Sequence, residues 1–108
     1  MSTNNVLIRG SIEIVVLKLL LEEDMYGYQM IKQVNERSNG FFEWREGSLY
    51  PCLHKLEGKG LVGSYTRECG GMLRRYYSLT KAGRKLATER TEASQEFCKA
   101  LMLLLQTN

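Results

Sequence analysis

Residues 47–85 read GSLYPCLHKLEGKGLVGSYTRECGGMLRRYYSLTKAGRK. Ser48 is a natural helix N-cap, and Pro51 then falls in the first turn, where a missing N–H costs little because those donors have no helical partner. Leu49, Cys52, Leu53 and Leu56 recur at helical spacing as one inward stripe, which leaves Tyr50, His54, Lys55 and Lys59 directed away from it. Gly58 and Gly60 suit the stop. Residues 61–68 and 73–79, rich in Tyr, Thr, Val and Leu, flank Gly70-Gly71 and predict two antiparallel strands joined by a tight reversal. A polar-faced helix, a basic hairpin beside it and the start of a further helix follow the order of a winged helix-turn-helix.

Charge singles out the same segment. Between Arg45 and Lys85 there are nine basic and three acidic residues, a net +6, whereas the remaining chain has six basic and nine acidic, a net −3. A modest total of +3 with its cations gathered on one helix-plus-hairpin unit suits local attraction of a polyanion. Lys55, Lys59, Arg74 and Arg75 would then supply phosphate contacts of the kind that give a nucleic-acid binder its footprint.

At 108 residues the chain is read as one compact domain whose core is limited unless a second chain adds to it. No stretch has the length and freedom from charge of a membrane span, and the N-terminus MSTNNVLIRG lacks the layout of a secretory signal, so a cytoplasmic protein is expected. Three scattered cysteines, Cys52, Cys69 and Cys98, fit reduced thiols better than a disulfide framework.

Ser11 is expected to cap a first helix running to about Asp24, apolar around most of its circumference and so buried on more than one side. A break at residues 25–27 leads to a second, positioning helix that ends near Asn39-Gly40. The linker FFEWREG is long enough for a short strand, with Phe42 and Trp44 on one side and Phe41 and Glu43 on the other. Thr80 caps a final helix to about Gln106, in which Leu86, Ala93, Phe97, Leu101 and Leu104 approach a heptad seam. That seam has nothing left to pack against in its own chain. The expected result is a two-fold homodimer lined by Ile12, Val16 and Leu20 of the first helix and Ala93, Phe97, Leu101 and Leu104 of the last. The expected organisation is thus α+β, mainly α: a winged helix-turn-helix over residues 1–80 and a long C-terminal dimerisation helix over residues 81–108.

The stretches RGSIEIVVLKLL, YGYQMIKQV, GSLYPCLHKLEGKGLV and RRYYSLTKAGRKL resemble, in order, the signatures of PadR-type transcriptional regulators, and cover the chain from Arg9 to about Leu86. The single C-terminal helix is similar to that of the smaller of the two PadR subgroups, whose members are homodimers that bind pseudo-palindromic operators in double-stranded DNA and usually repress. The resemblance implies that the helix beginning at Ser48 enters the major groove with Ser48, Tyr50, Pro51, His54 and Lys55 nearest DNA, and that Arg74 and Arg75 sit on the wing near phosphates or the minor groove. It also leaves room for a small-molecule effector at the dimer interface. A multidrug-sensing branch holds flat aromatic ligands between tryptophans of the C-terminal helices; Phe97 is the only aromatic residue in that helix here.

Catalysis has little to stand on, with one His and neither a nucleophile-elbow nor a phosphate-loop spacing. Cys52 and His54, at i and i+2, point to different sides of a helix and make a poor metal pair, so no cofactor is implied. Two alternatives to an operator-binding regulator are a winged-helix module that binds protein instead, and a thiol-responsive regulator using Cys52 or the more exposed Cys69.

Overall fold

The structure, a computed structural model, describes the backbone of residues 2–106 and side chains from Ser11 to Gln106. Arg9, at the head of the first PadR-like stretch, thus has its side chain outside the described residues. The chain forms α1 (Ser2–Glu22), β1 (Met25–Tyr26), α2 (Gly27–Arg37), α3 (Glu46–Gly58), β2 (Val62–Cys69), β3 (Met72–Leu79) and α4 (Lys81–Leu105), with the strands ordered β1-β3-β2 in one antiparallel sheet. The winged-helix architecture and the mainly helical α+β class are those expected.

Several boundaries differ from the expectation. Ser11 lies inside α1, which begins nine residues earlier: residues 2–10 contain no proline, and Gly10 costs a helix only about 1 kcal/mol. Nor does Ser48 cap α3. The cap is Arg45, whose carbonyl accepts from the amides of both Ser48 and Leu49 at 3.0 Å, so Ser48 is already in the first turn and Pro51 lies in the helix interior. Glu46 takes the opening turn, where its carboxylate complements the helix dipole. The linker to α3 contains no strand. The place beside β3 is filled by Met25 and Tyr26, paired with Tyr77 and Tyr76, while the Trp44 amide donates to Asn35 Oδ1 at 3.1 Å.

Other local signals act as read. Gly70 and Gly71 both have positive φ, 61° and 83°, as a two-residue hairpin turn with right-handed strand twist requires. Thr80 caps α4, accepting from the Gly83 amide at 3.0 Å and donating to the Gly60 carbonyl at 2.7 Å. This one side chain joins the end of α3 to the start of α4.

The core is built from Val16, Leu17 and Leu20 of α1, Met30 and Val34 of α2, Leu49, Leu53 and Leu56 of α3, and Tyr77 of β3. Ile12, Val16 and Leu20 are therefore consumed by the protomer's own core, with exposures of 7%, 0% and 1%, and are not available to a partner. A helix that is apolar all round gives no sequence cue as to which face turns inward. By contrast Ala93, Phe97, Leu101 and Leu104 are exposed on the second half of α4.

At the α4 N-terminus Gly83 is buried so closely that a Cβ there would lie 1.9 Å from the Leu61 carbonyl oxygen, a backbone atom fixed by its bond from the Thr80 amide. Gly83→Ala should therefore cost about 1–3 kcal/mol by overpacking. Gly58→Ala, whose Cβ would meet nothing within 4 Å, should be neutral or stabilising by up to about 1 kcal/mol. Thermal melts of the two variants check this contrast.

Candidate nucleic-acid interface

The inward leucines of α3 fix its outward face. With Leu49, Leu53 and Leu56 fully buried, the side chains of Ser48, Pro51, His54, Lys55 and Lys59 form an exposed strip along the helix. Tyr50 is different. It is half-buried at the edge of that strip against the start of α2, where a Cβ on Gly27 would come within 2.3 Å of the Tyr50 hydroxyl oxygen. Gly27 thus makes the close approach of α2 and α3 possible.

On the wing, Arg74 and Arg75 alternate across β3 and have separate surroundings. Arg75 faces α3: its Nε donates to Ser64 Oγ at 3.1 Å, Ser64 Oγ donates to Glu57 Oε2 at 2.9 Å, and Arg75 Nη2 lies 3.5 Å from that same carboxylate oxygen. The Arg75 charge is therefore partly answered within the protein, and the contact ties the hairpin to the last turns of α3. On the opposite face the Arg74 guanidinium lies 4.5 Å from the Tyr26 ring centre and Arg67 4.4 Å from that of Tyr76. Tyr65 stacks on Tyr76 and donates its hydroxyl to Asp24 Oδ2 at 2.6 Å, a bond that raises the Tyr65 pKa. The wing is thus held on one face by a tyrosine–arginine cluster and on the other by Glu57.

Between the two elements runs an open groove of about 420 Å³, bounded by Tyr28, Tyr50 and His54 on the helical side and Leu73, Arg74 and Arg75 on the wing. Of the expected residues the groove takes Tyr50, His54, Arg74 and Arg75, whereas Ser48, Pro51, Lys55 and Lys59 lie outside it on the exposed strip of α3. Beyond the expected set, Tyr28 and Leu73, both exposed, also line the groove, and the exposed Arg67 lies beside it on the wing. Arg67 was within reach of the sequence, since a reversal centred on Gly70-Gly71 places it directly across from Arg74. Tyr28 carried no comparable signal.

Lys55 is exposed, yet its Nζ lies 4.0 Å from Glu13 Oε2, and the other oxygen of Glu13 accepts from Arg90 Nη1. The Glu13 carboxyl is held below its ordinary value, first by that Arg90 hydrogen bond and then by the fields of Arg90, Lys59 and Lys55 acting against partial burial.

Residues 16–89 match the model of the transcriptional regulator PadR-like family. The chain belongs to that family. A PadR-like transcriptional regulator from Bacillus cereus superposes with a TM-score of 0.82 at 26% identity, over 94% of this chain and 97% of that one. A PadR family transcription regulator from Clostridium difficile gives 0.77 at 32% identity, over 89% and 99%. A transcriptional regulator of Mycobacterium tuberculosis is 29% identical over 94 residues, covering 87% of this chain and 85% of its own length. As a PadR-like protein the chain is a transcriptional regulator and not an enzyme. No helix among the described residues is long and apolar enough to cross a membrane, and no three of their His, Cys, Asp and Glu side chains gather as a metal site.

Cys52 sits half-buried on the back of the α3 strip, where burial, followed by the nearby Glu13 charge, pushes its thiol up to about 11. At pH 8 only about one Cys52 in a thousand is then the reactive thiolate. In a Cys98→Ser background, native protein treated with a thiol reagent at pH 8 should show one fast-reacting group, the exposed Cys69. Cys52 should respond only on unfolding, and a Cys69→Ser change should abolish the fast phase.

Proposed function

We propose that this PadR-like regulator binds an operator in double-stranded DNA as a homodimer and represses transcription by occupying it. The observation that carries the reading is the exposed Ser48, Pro51, His54, Lys55 and Lys59 strip, backed by three fully buried leucines and joined to a basic wing through the Arg75–Ser64–Glu57 contact. A helix so backed can lie in a major groove without changing its own packing. His54 reads a base edge, while Ser48, Pro51, Lys55 and Lys59 lie along the backbone, where the two lysines neutralise phosphates. Tyr50 closes the strip and, being packed on Gly27, also sets the angle of α3 against α2. On the wing, Arg74 acts through phosphate or a narrow minor groove, and Arg75 contributes more as the tether to α3 than as a free cation.

The partner is a second copy. Phe97, Leu101 and Leu104 present an apolar seam on α4, with Ala93 one turn before Phe97, and each protomer has an apolar groove of about 810 Å³ between α1 and α4, flanked by Ile14, Val15, Phe42 and Cys98. A small-molecule effector would act between the α4 helices, where Phe97 is the one aromatic ring that helix offers. The protein-interaction reading has less support, because the exposed face of α3 is basic and polar, and the wing adds only Met72 and Leu73 at its tip as exposed aliphatic side chains.

Titrating salt against binding to duplex DNA separates the two. The operator-binding reading expects log affinity to fall steeply with log salt, and Lys55→Ala and Arg74→Ala each to reduce that slope by about one unit. His54→Ala should leave the slope unchanged while costing about 1–3 kcal/mol on the preferred sequence and much less on random duplex. Binding indifferent to salt would remove the proposal.

A further inference from the structure

Within the apolar α1 the polar positions Glu13, Lys18 and Glu22 have different partners. Lys18 and Glu22 form an ion-pair group with Arg37 of α2, Glu22 accepting at 2.7 Å from Lys18 and at 2.6 Å from Arg37. Glu13 instead faces two other helices at once. One carboxylate oxygen is taken by Arg90 of α4, in direct hydrogen-bonded contact, and the other faces the Lys55 ammonium of α3 from 4.0 Å. Lys59, one turn further along α3, adds its field from the same side, and the half-buried Cys52 is the remaining titratable group close enough to sense the carboxylate.

The asymmetry of these two contacts has a consequence. At 4.0 Å Lys55 is attracted but not hydrogen-bonded, so its ammonium remains available to an external anion. Arg90 holds the other oxygen and offsets part of the carboxylate's charge. Were Arg90 withdrawn, Glu13 would keep its charge in a partly buried position with Lys55 as the nearest cation able to answer it, and the lysine would be drawn in. The helix that carries Arg90 also presents, on its far half, the uncovered apolar seam.

Resting on the reading of α3 as the DNA-contacting helix, we propose that Glu13 is a positioning residue through which α4 controls the availability of Lys55 to DNA, with Arg90 and Lys55 competing for one carboxylate. Any ligand or partner that shifts α4 toward the Arg90–Glu13 contact then favours DNA binding, and DNA, by taking Lys55, reciprocally favours that contact.

The test compares wild type, Arg90→Gln, Glu13→Gln, the double variant and Arg90→Lys for binding to a duplex across a salt series. Arg90→Gln should weaken binding about threefold and reduce the salt slope by about one unit, because Lys55 is captured. Glu13→Gln should tighten binding about threefold without lowering the slope. Adding Arg90→Gln to Glu13→Gln should change little, and Arg90→Lys should restore wild-type behaviour. If Arg90→Gln weakened binding equally in both backgrounds, Arg90 would be acting on DNA itself and the proposal would be overturned. A purely structural staple would lower the melting temperature and leave the slope unchanged, which also overturns it. A second measurement needs no DNA: in a carbon-13 titration of the Glu13 carboxyl, both Arg90→Gln and Lys55→Ala should raise the midpoint. An unmoved midpoint in Lys55→Ala would sink the coupling. A wild type that ignores duplex DNA overturns the functional reading together with this one, whereas one that binds normally but is indifferent to Arg90→Gln overturns this one alone.

Discussion

The pairing of Met25 with Tyr77 and of Tyr26 with Tyr76 is the constraint on which the arrangement of helix and wing depends. An isolated two-stranded hairpin is marginal in water, and β2–β3 has few apolar side chains of its own to bury. The two-residue β1 makes it a three-stranded sheet and, because β1 leads directly into α2, fixes the sheet against the helices. Tyr77 is thereby pressed into the core between helices, while Tyr76, one residue earlier, turns outward beneath Arg67 and Tyr65. Alternation along one strand thus anchors the wing on one face and stiffens it on the other.

Around this anchor the polar contacts fix positions more than they add stability. The pairs of Arg75 with Glu57, Arg37 with Glu22 and Lys55 with Glu13 each join an exposed cation to a partly buried glutamate, and pairs so open to solvent contribute about 0–1 kcal/mol each. What they determine is where cations stand. Arg75 is drawn toward α3, Lys55 is balanced between α1 and solvent, and Arg74, pinned on Tyr26, is held at the groove between wing and helix. The regulator's basic surface is therefore partly preset by two glutamates beneath it, Glu13 and Glu57.

Much of this fold is legible in the sequence because its signals are local. Gly70-Gly71 fixes the hairpin register, Thr80 marks the start of α4, and the leucine spacing orients α3. The two-residue β1 was not legible, since Met25-Tyr26 is too short to show any period and exists only through its distant partner. α3 starts three residues earlier than a cap at Ser48 would set, because Ser48 has the chemistry of a cap but Arg45 has the backbone geometry of one. Ile12, Val16 and Leu20 were indistinguishable from interface residues because α1 is apolar on every side. At the site, the exposed residues of α3 followed from periodicity, whereas the roles of Glu13 and Glu57 did not: their partners lie up to 77 residues away in sequence.

The central claim is that two copies of α3 and its wing act as paired rigid readers of duplex DNA. Selection of duplexes from a random pool, followed by hydroxyl-radical footprinting of the protein on an enriched sequence, tests it most directly. The account predicts an inverted repeat with two protected backbone segments on one face of the duplex, about 10 base pairs or a multiple of that spacing apart. A pool that fails to enrich, or a single protected segment without symmetry, would contradict it.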